Sequence, residues 1–284
     1  VELLLNKRIR NLTIFAIIAV VTGFIGFGLS RLSSPEDSMK ALGSLLWLVA
    51  PLAANLVLRA FGGDGWTDFG LLPHFKESLK WYLVGLVIPV IVTLIISGLG
   101  AAAGVISFAG FTRMGFSAFL PLFISGFTGV MIKNIFEEYA WRGYLTPRLE
   151  ALGVHPFVNS ILTGFIWAAW HIPYYLYYLD RSVLAAHSSL ALPVFIALTF
   201  LVLPLQSLAY GELRLISKSV LPVWLMHNVA NAISLPLFEE GFVSLGSGAA
   251  GVLLSPGTDG ILYSLFMGSI GLWLYFYRRR QSSV

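Results

Sequence analysis

The 284-residue chain has no cysteine, which excludes disulfide frameworks, thiol nucleophiles, Cys-ligated zinc and iron–sulfur clusters. Charge is scarce. Asp, Glu, Lys and Arg make up 11% of the residues, less than half of the roughly 25% in an average soluble domain, and that excludes a soluble globular enzyme as well as a disordered protein. Ten-residue segments of alternating hydrophobicity, the mark of a membrane barrel, are missing. A long polar linker and a visible internal repeat are missing too. What fills the chain is apolar: 57% of it is hydrophobic and its mean hydropathy is +0.82.

A helix needs about 20 apolar residues to cross a bilayer. Eight runs qualify: 11–30, 41–60, 80–102, 118–140, 156–179, 190–210, 218–238 and 260–277. In lipid the backbone must satisfy its own hydrogen bonds, so these runs predict an all-α polytopic membrane protein, a bundle of about eight transmembrane helices. The first run is long and lacks a convincing small-residue cleavage site, unlike a signal peptide. Without a linker, residues 1–284 are expected to form a single integral membrane domain. Segment 61–78 reads as a turn-rich cytoplasmic loop. Gly-rich 104–118 is expected along the outer interface, and Gly/Ser-rich 241–258 as an outer loop.

The net charge of +4 and the pI near 9.3 do not point to nucleic acid, because the basic residues sit at the ends of apolar runs and not in a patch. With eight spans both termini share one face. That face collects thirteen of the eighteen basic residues: Lys7, Arg8, Arg10, Arg59, Lys76, Lys80, Arg142, Arg148, Arg214, Lys218, Arg278, Arg279 and Arg280. The other collects Arg31, Lys40, Arg113 and Arg181, and Lys133 is left inside a span. This asymmetry places the N and C termini in the cytoplasm.

Ionisable groups inside a span cost about 2.5–3.5 kcal/mol each on insertion scales, so the few present are candidates for function. The fourth run continues as VMIKNIFEEYAWRGYLTPRLE. Glu138 and Arg142 are four apart and share a helix face in the favourable order. Glu137 points about 100° away and is left free for chemistry. The bland alternative, a helix end reaching the headgroups, is opposed by Arg148, roughly 15 Å further along a helix. Lys133, one turn before Glu137, can pair with it, snorkel or face a polar cavity; no catalytic role is assigned to it.

In the fifth run His171 stands near mid-bilayer. Alone it would read as a hydrogen-bonded core histidine. Around it, Trp167, Trp170, Tyr174 and Tyr175 could be packing, an interfacial belt or the wall of a pocket. In the seventh run His227 and Asn231 are four apart and share a face, while Asn228 is off it. That pair is either interhelical glue or part of a site roughly 14 Å deep. His74, His155 and His187 fall in loops or at helix ends and receive no role. Taken together, three helices carry a Glu, two His and an Asn to compatible depths in the cytoplasmic half. A carboxylate in such a cavity can serve as general base toward water. A histidine can share that water, and the second histidine and the amide can donate to an oxyanion. That set suffices for peptide hydrolysis without a covalent intermediate.

The motif EEYAWR (Glu137, Glu138, Arg142), the later His171 and the HNVAN pattern (His227, Asn231) follow one another on three polar-bearing spans. They resemble the EExxxR, FxxxH and HxxxN signatures of the CAAX-protease and bacteriocin-processing family of intramembrane glutamate proteases. This family includes the type II CAAX prenyl endopeptidases and the abortive-infection-like proteins. The resemblance covers about residues 115–240, where the catalytic core is expected. It implies an endopeptidase acting on a membrane-associated peptide or protein, prenylated CAAX-type substrates among them, with membrane lipid as the other partner. It further implies Glu137 activating water with help from His171, His227 and Asn231 stabilising the oxyanion, Glu138 and Arg142 in support, no cofactor or metal, and a site open to the cytoplasm. Trp167 departs from the second signature, where Phe is usual.

Other readings compete. A proton-coupled transporter could use the same buried Glu/His cluster. A zinc-dependent membrane protease could use the same side chains, although HExxH is absent and no two histidines stand at ligand spacing on one helix. For a rhomboid-like serine protease, Ser117 and Ser247 fall in outer loops away from the histidines. For an aspartyl protease, each Asp falls in a loop or at a span end.

Overall fold

The computed structural model describes residues 2–31 and 37–282. In chain order it contains α1 (Glu2–Arg31), α2 (Asp37–Ala60), α3 (Phe75–Ala102), the short α4 (Ala109–Met114), α5 (Phe116–Ala140), the short α6 (Thr146–Ala151), α7 (Pro156–Pro173), the short α8 (Arg181–His187), α9 (Leu192–Ser217), α10 (Leu221–Ser234), the short α11 (Gly248–Leu254) and α12 (Ile261–Ser282). A long helix thus stands at each of the eight apolar runs, and the chain is an all-α polytopic membrane protein. Lys40, counted above, lies outside the residues whose side chains are described.

Among the described residues five helical stretches are long and apolar enough to cross a membrane: Leu5–Arg31, Ala41–Ala60, Phe75–Ala102, Phe116–Ala151 and Leu192–Ser217. The other three long helices differ for a physical reason. α10 packs between α3 and α5 and is buried along most of its length, so it need not be apolar on every side. α7, between α1 and α9, turns Asn159, Ser160 and Thr163 inward. α12 packs along α9 and ends in Arg278, Arg279 and Arg280.

Helices cross closely where side chains vanish. A Cβ on Gly26 would come within 2.5 Å of the Gly43 carbonyl oxygen, and one on Gly43 within 2.6 Å of the Gly26 oxygen. Those two glycines set the α1–α2 crossing, the small-residue contact by which helices associate in lipid. Prolines interrupt α2, α3, α5 and α9 at Pro51, Pro89, Pro121 and Pro204, which neighbouring helices make tolerable in a membrane bundle.

Three π-helical turns, Trp141–Leu145, Tyr174–Tyr178 and Leu235–Glu239, follow α5, α7 and α10 directly. A π turn rotates everything beyond it relative to the helix before it, and such turns are frequent at functional sites. The two Gly-rich segments meet each other: β1 (Ile106–Ser107) pairs antiparallel with β2 (Ser244–Leu245), Ile106 opposite Leu245. Segment 241–258 is therefore more than a connecting loop, and it also contains α11.

Loop 61–74 is fastened to the bundle by buried arginines. Arg59 donates to Asp68 at 2.7 Å, to the Gly65 carbonyl and to the Gly143 carbonyl. Arg148 pairs with Asp68, and Arg214 donates to the Asp68 carbonyl oxygen at 2.6 Å. Tyr144 donates to Asp64 at 2.7 Å. Arg59, Arg142, Arg148 and Arg214, which the sequence places on the headgroup face, are all buried instead. A guanidinium has donors in a planar fork; backbone carbonyls and two aspartates accept from Arg59, Arg148 and Arg214, while Arg142 pairs with Glu138.

Candidate active site

α5 ends with both glutamates buried, and the Trp141–Leu145 turn begins immediately after them. Glu137 is 2% exposed. One of its oxygens accepts from Lys133, one turn earlier, and Oε2 accepts from the Trp167 indole N–H at 2.9 Å. The carboxylate is thus held by donors from two helices. Trp167 is where the second signature usually has Phe, and its indole supplies a donor that Phe lacks.

His171 lies one turn beyond Trp167 on α7. Its Nδ1 stands 2.8 Å from the Trp167 carbonyl oxygen. A carbonyl can only accept, so Nδ1 carries the hydrogen, and in the neutral ring Nε2 keeps its lone pair. The ring stacks on Tyr175 at 5.5 Å between centroids and meets Trp170 edge-on at 4.7 Å. The orienting carbonyl and the aromatic cage explain how a polar ring is held in an apolar helix.

Glu138 faces elsewhere, as the helix geometry requires. Its Oε1 accepts from Arg142 at 3.0 Å and from His227 Nδ1 at 2.8 Å. The Arg142 guanidinium lies between the rings of Trp167 and Tyr210, 4.4 and 4.7 Å from their centroids, and donates to Ser207 at 3.2 Å. This cluster ties α5, α7, α9 and α10 together. The expected Glu138–Arg142 pair is present, and it also orients His227, a link between residues 89 positions apart.

Asn231 stands one turn past His227 and donates to Asn134 Oδ1 at 3.1 Å. Asn134 donates to Asn228 at 3.1 Å, and Asn228 donates to the Phe127 carbonyl at 2.9 Å. A ladder of amides therefore fixes α10 on α5. Asn228 points to this ladder, while His227 and Asn231 line the cavity.

The cavity measures about 290 Å³ and is bounded by Lys133, Trp167, His171, Tyr210, His227 and Asn231 at its deep part. Glu137 stands behind Lys133 and Trp167. Aliphatic and aromatic side chains such as Tyr175, Phe195, Leu198 and Val202 form the walls. At the far part lie Val183, His187, Glu239 and Asp259. His187 Nε2 approaches Glu239 Oε1 at 3.6 Å. Desolvation holds the Asp259 carboxyl above the ordinary aspartate range, against the pull of His187. His187, Glu239 and Asp259 were not signalled by the sequence, because each sits in a connection whose path no helical period reveals. The far lining of the cavity comes from the connections at the end of the bundle away from the termini.

Among the described residues no three His, Asp or Glu side chains group as ligands for a metal. His227 Nδ1 is committed to Glu138, and Glu137 to Lys133 and Trp167.

A polytopic helical protein with a buried carboxylate, two oriented imidazoles and an amide around one cavity has the parts of an intramembrane hydrolase. Residues 118–233 match the model of the Rce1-like type II CAAX prenyl endopeptidases. The matched stretch holds all six expected site residues. The search of curated proteins found no match.

Proposed function

We propose that the chain is an intramembrane endopeptidase of the glutamate type, hydrolysing a peptide bond of a membrane-associated substrate, prenylated CAAX-type proteins among the candidates. The observation that carries this reading is Glu137 held beside His171, whose Nδ1 is spent on a carbonyl so that Nε2 is left to accept. Lys133, with 28% of its side chain exposed on a flexible stem, is the partner that can release a Glu137 oxygen. That oxygen then takes a proton from a water shared with His171 Nε2. The hydroxide adds to the scissile carbonyl carbon. His227 and Asn231 donate to the oxyanion, and with Nδ1 on Glu138, His227 does so through a proton on Nε2. Collapse breaks the C–N bond, and the proton on Glu137 passes to the leaving amine. Residues 1–284 act as one membrane domain whose catalytic core is within 115–240 and whose termini are cytoplasmic.

The test is a panel of lipidated and unlipidated peptides incubated with purified protein and read by mass spectrometry. Glu137→Gln and His171→Ala should each lower cleavage at least 100-fold while eluting as folded protein. Removing one oxyanion donor, as in Asn231→Ala, should cost about 100–1000-fold. Full activity of Glu137→Gln would refute the mechanism.

A further inference from the structure

The charges that line the cavity are sorted along it. Among the described residues Lys133 is its one lysine or arginine, and it stands at the deep part with His171, His227 and Asn231. Glu239 and Asp259 stand at the far part, with His187 Nε2 3.6 Å from Glu239 Oε1. The walls between them, such as Tyr175, Phe195, Leu198 and Val202, carry no formal charge. An anionic group in the cavity is therefore repelled at one part and has a single fixed cation to meet at the other.

Lys133 has a donor left for that contact. An ammonium carries three N–H groups. One is spent on Glu137 and a second on Asn134 Oδ1 at 3.3 Å, which leaves a third. The Lys133 side chain is partly exposed while that of Glu137 is buried, so the cation reaches beyond the base it neutralises. Trp167 donates to the other oxygen of Glu137 at 2.9 Å, and the carboxylate keeps that partner when the lysine turns away.

Reach limits where the anionic group can be. The ammonium touches a Glu137 oxygen, one of the two that can take the proton from water. An extended chain covers at most about 3.3–3.6 Å per residue, so a carboxylate captured by that ammonium lies within about three residues of the scissile bond.

We propose that Lys133 is a specificity-determining residue: it captures a substrate carboxylate close to the scissile bond, and the capture frees the Glu137 oxygen. This rests on the proteolytic reading above and adds to it a reason why the base is released only in the loaded site. Without such a carboxylate the ammonium stays on Glu137, and that oxygen remains occupied. The carboxylate is either the end of the substrate chain or an acidic side chain near it. Because the base is released within the complex, the preference appears in kcat as well as in KM.

The test compares three forms of the best-cleaved peptide of the panel: one with a free terminal carboxylate, one with a terminal amide, and one with a terminal amide and aspartate as its last residue. Wild type should cleave carboxylate-bearing forms about 10–100-fold faster than the plain amide, the difference expected for one hydrogen bond between charged groups. Preference for both forms assigns the capture to any carboxylate, for the free acid alone to the chain terminus, and for the aspartate amide alone to the side chain. Lys133→Met, eluting as folded protein, should cleave all three alike, an outcome that mere neutralisation of Glu137 does not produce. If Lys133→Met does not cleave, the comparison is read as binding of the labelled peptides. Glu137→Gln should bind the preferred form about tenfold more tightly than the plain amide, and Glu137→Gln combined with Lys133→Met should bind them equally. Equal cleavage of the three forms by wild type, or a preference that survives loss of Lys133, would overturn the proposal. Failure of wild type to cleave any peptide sinks the proteolytic reading, whereas cleavage without preference sinks the role of Lys133 alone.

Discussion

At the scale of single residues, the site depends on small differences of direction along one helix. Glu137 and Glu138 are neighbours, yet their carboxylates meet different partners: Lys133 and Trp167 for the first, Arg142 and His227 for the second. The step of about 100° per residue is the cause. Trp167 shows how a departure from a signature gains a physical meaning. Phe would keep the ring but remove the N–H that Glu137 Oε2 accepts. A hydrogen bond to a charged group contributes about 1.5–3 kcal/mol. Trp167→Phe should therefore remain folded and lose roughly tenfold or more in kcat, measured with the best peptide of the panel. Unchanged kcat would show that the indole N–H has no part in holding the base.

At the scale of elements, the helices were readable because lipid imposes length and apolarity on each span, and the eight long helices stand at the eight runs. Their ends were less readable. Nothing in WRGYL, YYLYY or LPLFE announces a π turn, because the turn answers to what the following segment packs against. The α1–α2 crossing offers a direct test of packing. Side chains at Gly43 have no room beside the Gly26 carbonyl, and overpacking typically costs about 1–3 kcal/mol. Gly43→Leu should lower the melting temperature in detergent, while Gly28→Leu, whose Cβ would meet open space, should not. Equal melting temperatures for the two would refute the close crossing.

At the scale of the whole molecule, one end of the bundle is stitched by loop 61–74. The stitched end uses arginines that a charge count assigns to headgroups. Asp68 serves both Arg59 and Arg148. Breaking a fully buried ion pair from one side costs about 3–5 kcal/mol, and Asp68, with 28% of its side chain exposed, should cost less, about 1–3 kcal/mol. Asp68→Ala should therefore melt at a lower temperature than wild type, with cleavage in detergent retained below that transition. A melting temperature equal to that of wild type would show that the loop is held by other contacts.

The order of polar residues along the chain singles out Glu137, His171, His227 and Asn231 as candidates, since a charged or amide side chain in a span is costly. Charge asymmetry and span length likewise follow from local composition, because the bilayer acts on each segment separately. Which carboxylate meets which imidazole, the indole that holds Glu137 and the residues that line the cavity were decided only by tertiary structure. Those features join residues from separate helices, and helix crossings together with the π turns set the angles at which such residues face one another.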